Sequence, residues 1–400
     1  MDLIYLLKNT VQNYTWGSKK AIPELLGETY SLEKPVAELW MGTHPRGASQ
    51  AIVNNQVIPL PDLISQNPGQ ILGPVTTEKF SGQLPFLFKI LAADKPLSIQ
   101  AHPDQKQARA GYARENRAGI ELDAFNRTYK DENHKPEIIC GITDFWALNG
   151  FQPYREIVDF FVSVNSGYIK EEIAQFARYL NSQALKAFYT SVLTMDSDKK
   201  RGLVADILEY AAANKNIDQK CEWLLKIHNE FPGDPGIISV AMLNLVQLRP
   251  GEAMFLPARQ LHAYLFGLGI ELMANSDNVL RGGLTEKYIN VPELMEILDF
   301  TEKEITILRP EKIANGFMIY KTPAAEFQLG KITITNHSVY ENLQNQTVSI
   351  LICLRGEATI KDLISNKTVK FHKGQSLLIA AALTRYAISG EADIYCARVP

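Results

Sequence analysis

The sequence predicts a mainly β protein in which a block of helices interrupts one β-domain and a second β-domain follows. Up to about residue 150, short apolar runs alternate with Gly and Pro. Helical spacing then starts near Pro153 and stops at the breaker Pro232–Gly236, after which strand-like segments return. The expected division is 1–152 with 234–310 for the first β-domain, 153–233 for the helical insertion and 311–400 for the last domain.

Local patterns support this division. Phe86–Leu91 and Leu97–Ala101 are predicted strands, separated by the turn-forming Asp94–Lys95–Pro96. Four stretches carry the spacing of a single helix face. They are Ile157, Phe160, Phe161 and Val164; Ile173, Phe176, Ala177 and Leu180; Leu203, Val204, Ile207, Leu208 and Ala211; and Leu224, Leu225, His228 and Phe231.

Composition excludes several classes of protein. The 400-residue chain has 46% hydrophobic residues, 21% charged residues and a formal net charge of -3, with no basic block of the kind that nucleic-acid binding needs. The opening residues lack the pattern of a signal peptide, and the longest apolar run, near Ser376–Leu383, is too short to cross a bilayer. The four cysteines are scattered, which favours a reducing compartment, and the cytoplasm is expected.

A short internal repeat points to a pair of related β-domains. Gly251–Pro257 followed by His262 and Gly267 matches Gly374–Ala380 followed by Arg385 and Gly390. The first copy resembles the Gly-x5-Pro-x4-His motif of cupins, which are jelly-roll barrels that bind a metal inside. Because Arg385 replaces the histidine, the C-terminal domain is expected to be cupin-like and metal-free. Chance similarity between two amphipathic hairpins is the alternative.

The segment Leu97–His102 carries a polar face. Alternate side chains of a strand share a face, so Ser98, Gln100 and His102 would lie opposite Leu97, Ile99 and Ala101. Such a polar row either lines a site or faces solvent on an edge strand. Glu137, after Asn133–Pro136, and His262 add a carboxylate and an imidazole near strand ends. With Gln100 and His102 they would make a nitrogen and oxygen site for Zn²⁺, although each can also be structural.

Several longer motifs occur in order between about residues 12 and 290. They are Gln12–Ser18, Ala37–Pro45, Leu84–Lys89, Ser98–Asp104, Asn133–Glu137 and Glu271–Leu284. In sequence and order these motifs resemble those of the type I mannose-6-phosphate isomerases (phosphomannose isomerases) of the cupin superfamily, and the QAHPD and NHKPE blocks are the most specific. Gly282–Gly283 departs from the Ala-Gly that relatives often carry. The helical insertion and the last domain contain few motif residues.

The resemblance implies a fold and an activity. It implies a cupin-like jelly-roll catalytic domain and interconversion of D-mannose 6-phosphate and D-fructose 6-phosphate through a metal-stabilised cis-enediol(ate), with proton transfer between C1 and C2. One Zn²⁺ per chain would be held by Gln100, His102, Glu137 and His262, and Arg281 would be the catalytic arginine. Ser98, Lys89 and Lys135 fall where the family places polar groups that contact substrate.

Other roles are left open by the sequence. Lys135 is preferred as the base because it lies two residues from a ligand, whereas Glu271 or Asp277 would need burial to raise the pKa. Both acids also fall among the expected substrate contacts, and Trp16 either walls the cleft or lies in the core. Lys89, Lys95, Arg281 and Lys287 are candidates for binding the phosphate. The chain is expected to act as a monomer on a small sugar phosphate.

Two other functions fit part of the pattern. An Fe²⁺-dependent cupin oxygenase would use two histidines and a carboxylate, which His102, Glu137 and His262 nearly supply. A non-catalytic sugar-binding or storage cupin would not need the cations Arg281 and Lys135 beside the metal.

Overall fold

The computed structural model describes residues 2–29, 33–314, 316–335 and 338–400. Within these ranges the protein is mainly β, as predicted, with one antiparallel sheet of eleven strands and another of ten. Among the same residues, none of the helices has the length and apolar character needed to cross a lipid bilayer.

The first part of the chain is strand-rich. Its strands are β1 (Ile4–Lys8), β2 (Thr10–Gln12), β3 (Glu38–Met41), β4 (Gln50–Val53), β5 (Gln56–Pro59), β6 (Phe86–Ala93), β7 (Ile99–Ala101), β8 (Glu137–Gly141) and β9 (Phe145–Phe151). Its helices are α1 (Ala21–Leu26), α2 (Leu60–Gln66), α3 (Pro68–Ile71), α4 (Pro74–Lys79) and α5 (Gln105–Arg117). The predicted strands at Phe86 and before Ala101 therefore correspond to β6 and β7.

A helical block follows. It contains α6 (Tyr154–Val164), α7 (Lys170–Tyr179), α8 (Ser182–Thr194), α9 (Ser197–Asn214), α10 (Gln219–Glu230) and α11 (Gly236–Met242), with a short 3-10 helix at Gly167–Ile169. The four predicted helical stretches fall on α6, α7, α9 and α10. The helix α8 was not predicted, and α11 begins inside the predicted breaker because the Asp234 carboxylate accepts a hydrogen bond from the backbone N–H of Gly236 at 2.7 Å. Every residue of α11 is buried, so no periodicity marks it.

Strands return after the helices. They are β10 (Leu243–Leu248), β11 (Ala253–Leu256), β12 (His262–Ala274), β13 (Leu280–Gly283), β14 (Glu311–Ala314), β15 (Phe317–Ile319), β16 (Gln328–Ile334), β17 (Tyr340–Asn342), β18 (Ser349–Asp362), β19 (Thr368–His372), β20 (Ser376–Ile379) and β21 (Tyr386–Arg398), with helix α12 (Val291–Ile297) between β13 and β14.

The two sheets do not divide the chain into simple halves. The eleven-stranded sheet contains β14 to β21 and also β1, β4 and β5 from the start of the chain, because β1 pairs with both β20 and β4. The ten-stranded sheet contains the other strands. Three strands from the segment 1–152 thus extend the sheet formed mainly by 311–400, and the domain boundaries themselves stay a prediction.

The internal repeat has matching backbone conformations. Gly251 and Gly374 have φ of 85° and 86°, and Gly267 and Gly390 have φ of 122° and 125°. Each first glycine precedes a short strand, β11 or β20, and each second glycine lies inside a thirteen-residue strand, β12 or β21. Positive φ strongly favours glycine. The same turn before the short strand and the same bend inside the long strand therefore occur in both copies of the repeat.

The ten-stranded sheet aligns a row of polar residues. Gln100 of β7 pairs directly with His262 of β12 on one side and with Arg281 of β13 on the other, and His262 also pairs with Asn149 of β9. Directly paired residues place their side chains on the same face. Arg281, Gln100, His262 and Asn149 therefore share one face across four adjacent strands.

The opposite face of this row is covered by helices. Ile99 and Ala101 are buried in a core that includes Phe188 and Tyr189 of α8. Leu97 packs instead against a second core that includes Tyr264, so the prediction that it shares a face with Ile99 and Ala101 was wrong. The reason is that β7 starts only at Ile99, and the alternation of a strand does not extend back to Leu97.

The contact between β13 and α11 gives a testable prediction. Replacing Gly283 with Ala would place the new Cβ 2.5 Å from Cα of Gly236, at a backbone φ of 141°. A strained conformation of this kind costs about 1–3 kcal/mol, so the melting temperature measured by calorimetry should fall by roughly 1–4 °C for a chain of this length.

Gly282→Ala is the matched control for this substitution. Its Cβ would meet the tip of the Leu261 side chain at 2.9 Å, with no positive φ, so a smaller loss is expected. Equal melting temperatures for the two variants would contradict the backbone contact as the cause.

Candidate metal and substrate site

Three buried side chains converge at His262 of the polar row. The ligand atoms of His102, Glu137 and His262 lie within 4.8 Å of one another, the single such group among the described residues. Nε2 of His102 is 3.4 Å from Oε1 of Glu137, and Nε2 of His262 is 3.3 Å from Oε2 of Glu137. The three residues come from distant parts of the chain and meet because β12 pairs with both β7 and β8.

Each of these side chains is placed by a strand end. His102 directly follows β7, and two residues later Asp104 caps α5 by accepting a hydrogen bond from the backbone N–H of Gln107. Glu137 is the first residue of β8, and His262 is the first residue of β12. Strand termini allow the three side chains to approach one point from different directions.

The hydrogen bonds of both imidazoles fix their tautomers. Nδ1 of His102 lies 2.6 Å from the carbonyl oxygen of Asn278, and Nδ1 of His262 lies 3.0 Å from that of Gln260. A carbonyl oxygen can only accept, so each Nδ1 carries the proton. Each Nε2 therefore presents a lone pair to the centre of the cluster.

Burial and neighbouring charges keep the cluster ready to bind a cation. Burial, followed by the positive charge of Lys135, lowers the pKa of His102 to about 4, so its ring is neutral at pH 7. Burial alone would raise the pKa of Glu137, but Lys135 and the two histidines outweigh it and hold that pKa well below its usual range. The cluster thus offers the Glu137 carboxylate and the neutral ring of His102 as ligands.

These residues fit a tetrahedral metal ion such as Zn²⁺. Nε2 of His102, Nε2 of His262 and Oε2 of Glu137 are buried without a hydrogen-bond partner, although buried polar atoms normally have one. Ligands about 2.0–2.1 Å from a tetrahedral zinc are separated by about 3.3 Å. The separations of 3.3 and 3.4 Å between imidazole nitrogens and carboxylate oxygens match this value.

Gln100 and Arg281 extend the site along the row. Gln100 is the direct neighbour of His262, which places its amide beside the cluster. Arg281 follows on the next strand, and its guanidinium donates a hydrogen bond to the Ser98 hydroxyl. The positive charge of Arg281 is the largest cause of the lowered pKa of Lys287. The end of the row away from the cluster therefore holds two cations near each other.

A second buried charged group lies where β6 pairs with β12, with Lys89 directly opposite Glu271. Nζ of Lys89 is 2.7 Å from Oε2 of Glu271 and 3.9 Å from Oε1 of Glu38, and it lies over the Trp40 ring. Burial alone would lower the pKa of Lys89, but Glu271 and Glu38 outweigh it and raise that pKa. Burial is the main cause of the raised pKa of Glu271, which Lys89 only partly offsets. The pairing with Glu271 and Glu38 therefore favours the charged form of Lys89.

The candidate bases differ in their surroundings. Nζ of Lys135 lies 3.1 Å from Oε1 of Glu137, directly at the cluster. Asp277 contacts Arg46, and its Oδ1 lies 3.3 Å from Nε2 of His44. Burial would raise the pKa of Asp277, but His44 and Arg46 outweigh it and lower that pKa to about 2. A carboxylate with this pKa is a poor base at neutral pH.

The remaining sequence candidates lie further from the cluster. Trp16 is half-buried, stacks on Tyr14 and packs against the core that contains Tyr264. Lys95 is exposed and pairs with Glu230 at 2.8 Å. Nothing among the described contacts joins either residue to the cluster, and their roles stay predictions.

Several residues of the site were not identified from the sequence. Glu38 and Trp40 lie beside Lys89, and the buried hydroxyl of Tyr264 has no hydrogen-bond partner. Glu38 and Trp40 could have been identified from the sequence, because both fall in the family-like motif Ala37–Pro45. Tyr264 is two residues from His262 on the same strand, and its spacing alone could have indicated a shared face.

A direct test of the cluster is metal binding by the metal-free chain. We expect one divalent ion per chain, and we expect His262→Ala to weaken its affinity by roughly a hundredfold or more, because a ligand is lost outright. Titration calorimetry with Zn²⁺ or Co²⁺ measures the affinity. His372→Ala, an exposed histidine in the other sheet, is the control and should bind like the wild type. Equal affinities for the two variants would contradict the cluster as the binding site.

Comparison with known proteins gives a consistent result along the whole chain. The family model for the catalytic domain of type I phosphomannose isomerase matches residues 4–154, and the model for the mannose-6-phosphate isomerase cupin domain matches residues 319–399. The mannose-6-phosphate isomerase of Salmonella typhimurium is 39% identical over 379 residues, covering 94% of each chain. The human mannose-6-phosphate isomerase is 36% identical over 407 residues, covering 94% of this chain and 93% of that one.

Solved structures agree with the sequence comparison. A zinc-bound crystal structure of mannose 6-phosphate isomerase has a TM-score of 0.91 and 37% identity, covering 99% of both chains. A mutant of phosphomannose isomerase from Salmonella typhimurium has a TM-score of 0.92 and 36% identity, with the same coverage. With the family motifs in order and relatives aligned from end to end, the chain belongs to the type I phosphomannose isomerase family.

Proposed function

We propose that this protein is a zinc-dependent isomerase that interconverts D-mannose 6-phosphate and D-fructose 6-phosphate. The observation that carries the proposal is the cluster of His102, Glu137 and His262 in a chain that aligns over almost its whole length with isomerases of this name. We expect it to act in the cytoplasm as a monomer.

Zinc would be held by His102, Glu137, His262 and Gln100. The two imidazoles present lone pairs that no protein group uses, and the Glu137 carboxylate supplies the negative charge. The Gln100 amide supplies a neutral oxygen from the neighbouring strand. When bound, zinc would supply positive charge beside the oxygens on C1 and C2 of the sugar, where negative charge develops during proton transfer.

The phosphate would bind at the Arg281 end of the row. Arg281 and Lys287 repel each other, as the lowered pKa of Lys287 indicates, and an anion between them would relieve this repulsion. The Ser98 hydroxyl adds a polar group at Arg281. Two strand spacings separate His262 from Arg281, which is about 10 Å. That distance suits the length of an open-chain hexose phosphate.

Lys135 is the group that we assign to the proton transfer. Its Nζ lies at the cluster, 3.1 Å from Glu137, where C1 and C2 of a substrate would lie. As a neutral amine, Lys135 would take the proton from C2 of the aldose and return it to C1, while the hydroxyl proton on O2 is transferred to O1, giving the ketose through a cis-enediol. Glu271 is already paired with Lys89, and Asp277 with His44 and Arg46. Lys89 and Glu271 would orient sugar hydroxyls, with Asp277 and Trp16 at the cleft wall.

A coupled assay for fructose 6-phosphate formation tests the proposed reaction. Activity should disappear with a chelator, return with Zn²⁺, and fall by roughly a hundredfold or more in Arg281→Ala, because an anchoring cation is lost. Arg385→Ala, an exposed arginine in the other sheet, should keep full activity. Metal binding without turnover would favour a sugar-binding protein, and oxygen uptake with Fe²⁺ would favour an oxygenase.

A second experiment tests the assigned base. Lys135→Met should lower kcat by about 10²–10⁴-fold, the usual contribution of general acid–base catalysis, and should lose exchange of the C2 proton with solvent. Lys95→Met is the control, because that lysine is exposed and paired with Glu230. If Lys135→Met retains solvent exchange at C2 while Glu271→Gln loses it, the base is Glu271.

A further inference from the structure

The carbonyl group that orients His102 belongs to a loop without regular strand pairing. This loop, Asn275–Asn278, connects β12 to β13, and Asn278 lies 176 positions from His102 in the chain. The carbonyl that orients His262 belongs to Gln260, only two residues away, so local backbone geometry can hold it. The orientation of His102 depends on whatever fixes the loop.

A carboxylate outside the metal cluster fixes this loop. Oδ1 of Asp131 accepts hydrogen bonds from the Ser276 hydroxyl at 2.8 Å and from Nδ2 of Asn278 at 3.2 Å. Oδ2 of Asp131 accepts from the backbone N–H of Asp277 at 2.7 Å. Three consecutive residues of the loop therefore donate hydrogen bonds to the two carboxylate oxygens of Asp131.

Asn278, in the loop, also forms hydrogen bonds to the backbone of the segment that contains Asp131. Its side chain is completely buried, and its Oδ1 accepts a hydrogen bond from the backbone N–H of Lys130 at 2.7 Å. Its Nδ2 also donates to the carbonyl oxygens of Asp131 and Asn133, both at 2.9 Å. The segment 130–133 and the loop 275–278 thus form one rigid unit, which we call the loop clamp.

The loop clamp links three parts of the site. It orients His102 through the Asn278 carbonyl, and it directly precedes Lys135 and Glu137 in the chain. It also ends three residues before Arg281. A change in the clamp would therefore move His102 relative to Glu137, which come from separate strands.

We propose that Asp131 is a positioning residue that holds the loop clamp, and through the Asn278 carbonyl fixes the tautomer and the orientation of His102. This inference rests on the proposed metal site, since His102 is one of its ligands. Partners of this kind typically change metal affinity by about 10–100-fold. Among the described contacts, Asp131 bonds neither to the polar row nor to the ligand atoms of the cluster. It therefore acts only through the loop.

The experiment compares Asp131→Asn with Glu132→Gln in the metal-free protein. Glu132 is an exposed neighbouring acid whose side chain makes no described contact with the loop 275–278, so its variant loses the same charge but keeps the hydrogen bonds of the clamp. Asn at position 131 has the same shape but only one acceptor oxygen for four donors, the three in the loop and the backbone N–H of Asn133. Ser276→Ala is a milder second variant that removes one of those donors.

Two measurements report the result. ¹⁵N-histidine NMR, assigned with His102→Ala, should show His102 as the Nδ1–H tautomer in wild type and Glu132→Gln, and a mixture of tautomers in Asp131→Asn. Co²⁺ affinity of Asp131→Asn should fall about 10–100-fold, with an altered visible absorption of the bound ion.

The proposal is overturned if Asp131→Asn keeps the wild-type tautomer and binds Co²⁺ within threefold of Glu132→Gln. Because the tautomer is measured without metal or substrate, absence of isomerase activity would count against the proposed function and not against the clamp.

Discussion

A buried carboxylate and the nitrogen atoms around it determine how the strands of this protein meet. Glu137 is 1% exposed, and its oxygens lie within 3.4 Å of nitrogens of His102, His262 and Lys135. An isolated buried charge costs several kcal/mol, so the fold must bring these partners to it. The pairing of β12 with both β7 and β8 does this. The helices behind β7 then exclude water from the opposite face.

The site has one end where charges are paired and one where they are not. Lys89 is surrounded by Glu271 and Glu38, and Lys135 is paired with Glu137. Among the described contacts, the guanidinium of Arg281 meets only the Ser98 hydroxyl, and Lys287 has no acidic partner. The protein leaves positive charge unbalanced at this end, which is the requirement for binding an anionic group of a substrate.

The sequence predicted what depends on local pattern and missed what depends on distant contacts. The β6 and β7 strands and four helices follow from periodicity, and the family motifs placed His102, Glu137 and His262 together in one hypothesis. Asp131 could not be found in this way, since its partners Ser276 and Asp277 lie about 145 residues away and no periodicity connects them. The helix α11 was missed for a different reason: every one of its residues is buried, so its sequence has no alternation between apolar and polar faces.

The internal repeat shows that the turn alone does not determine whether the residue after it is buried in a site. Gly251 and Gly374 have nearly equal φ, and each begins the same succession of strand, turn and longer strand. His262 is nevertheless completely buried, whereas Arg385 at the equivalent position is exposed. The difference lies in what covers the turn: β7 and β9 both pair with His262, which brings Gln100 and Asn149 beside it. The burial of His262 therefore requires the neighbouring strands, and the repeated motif supplies only its starting position.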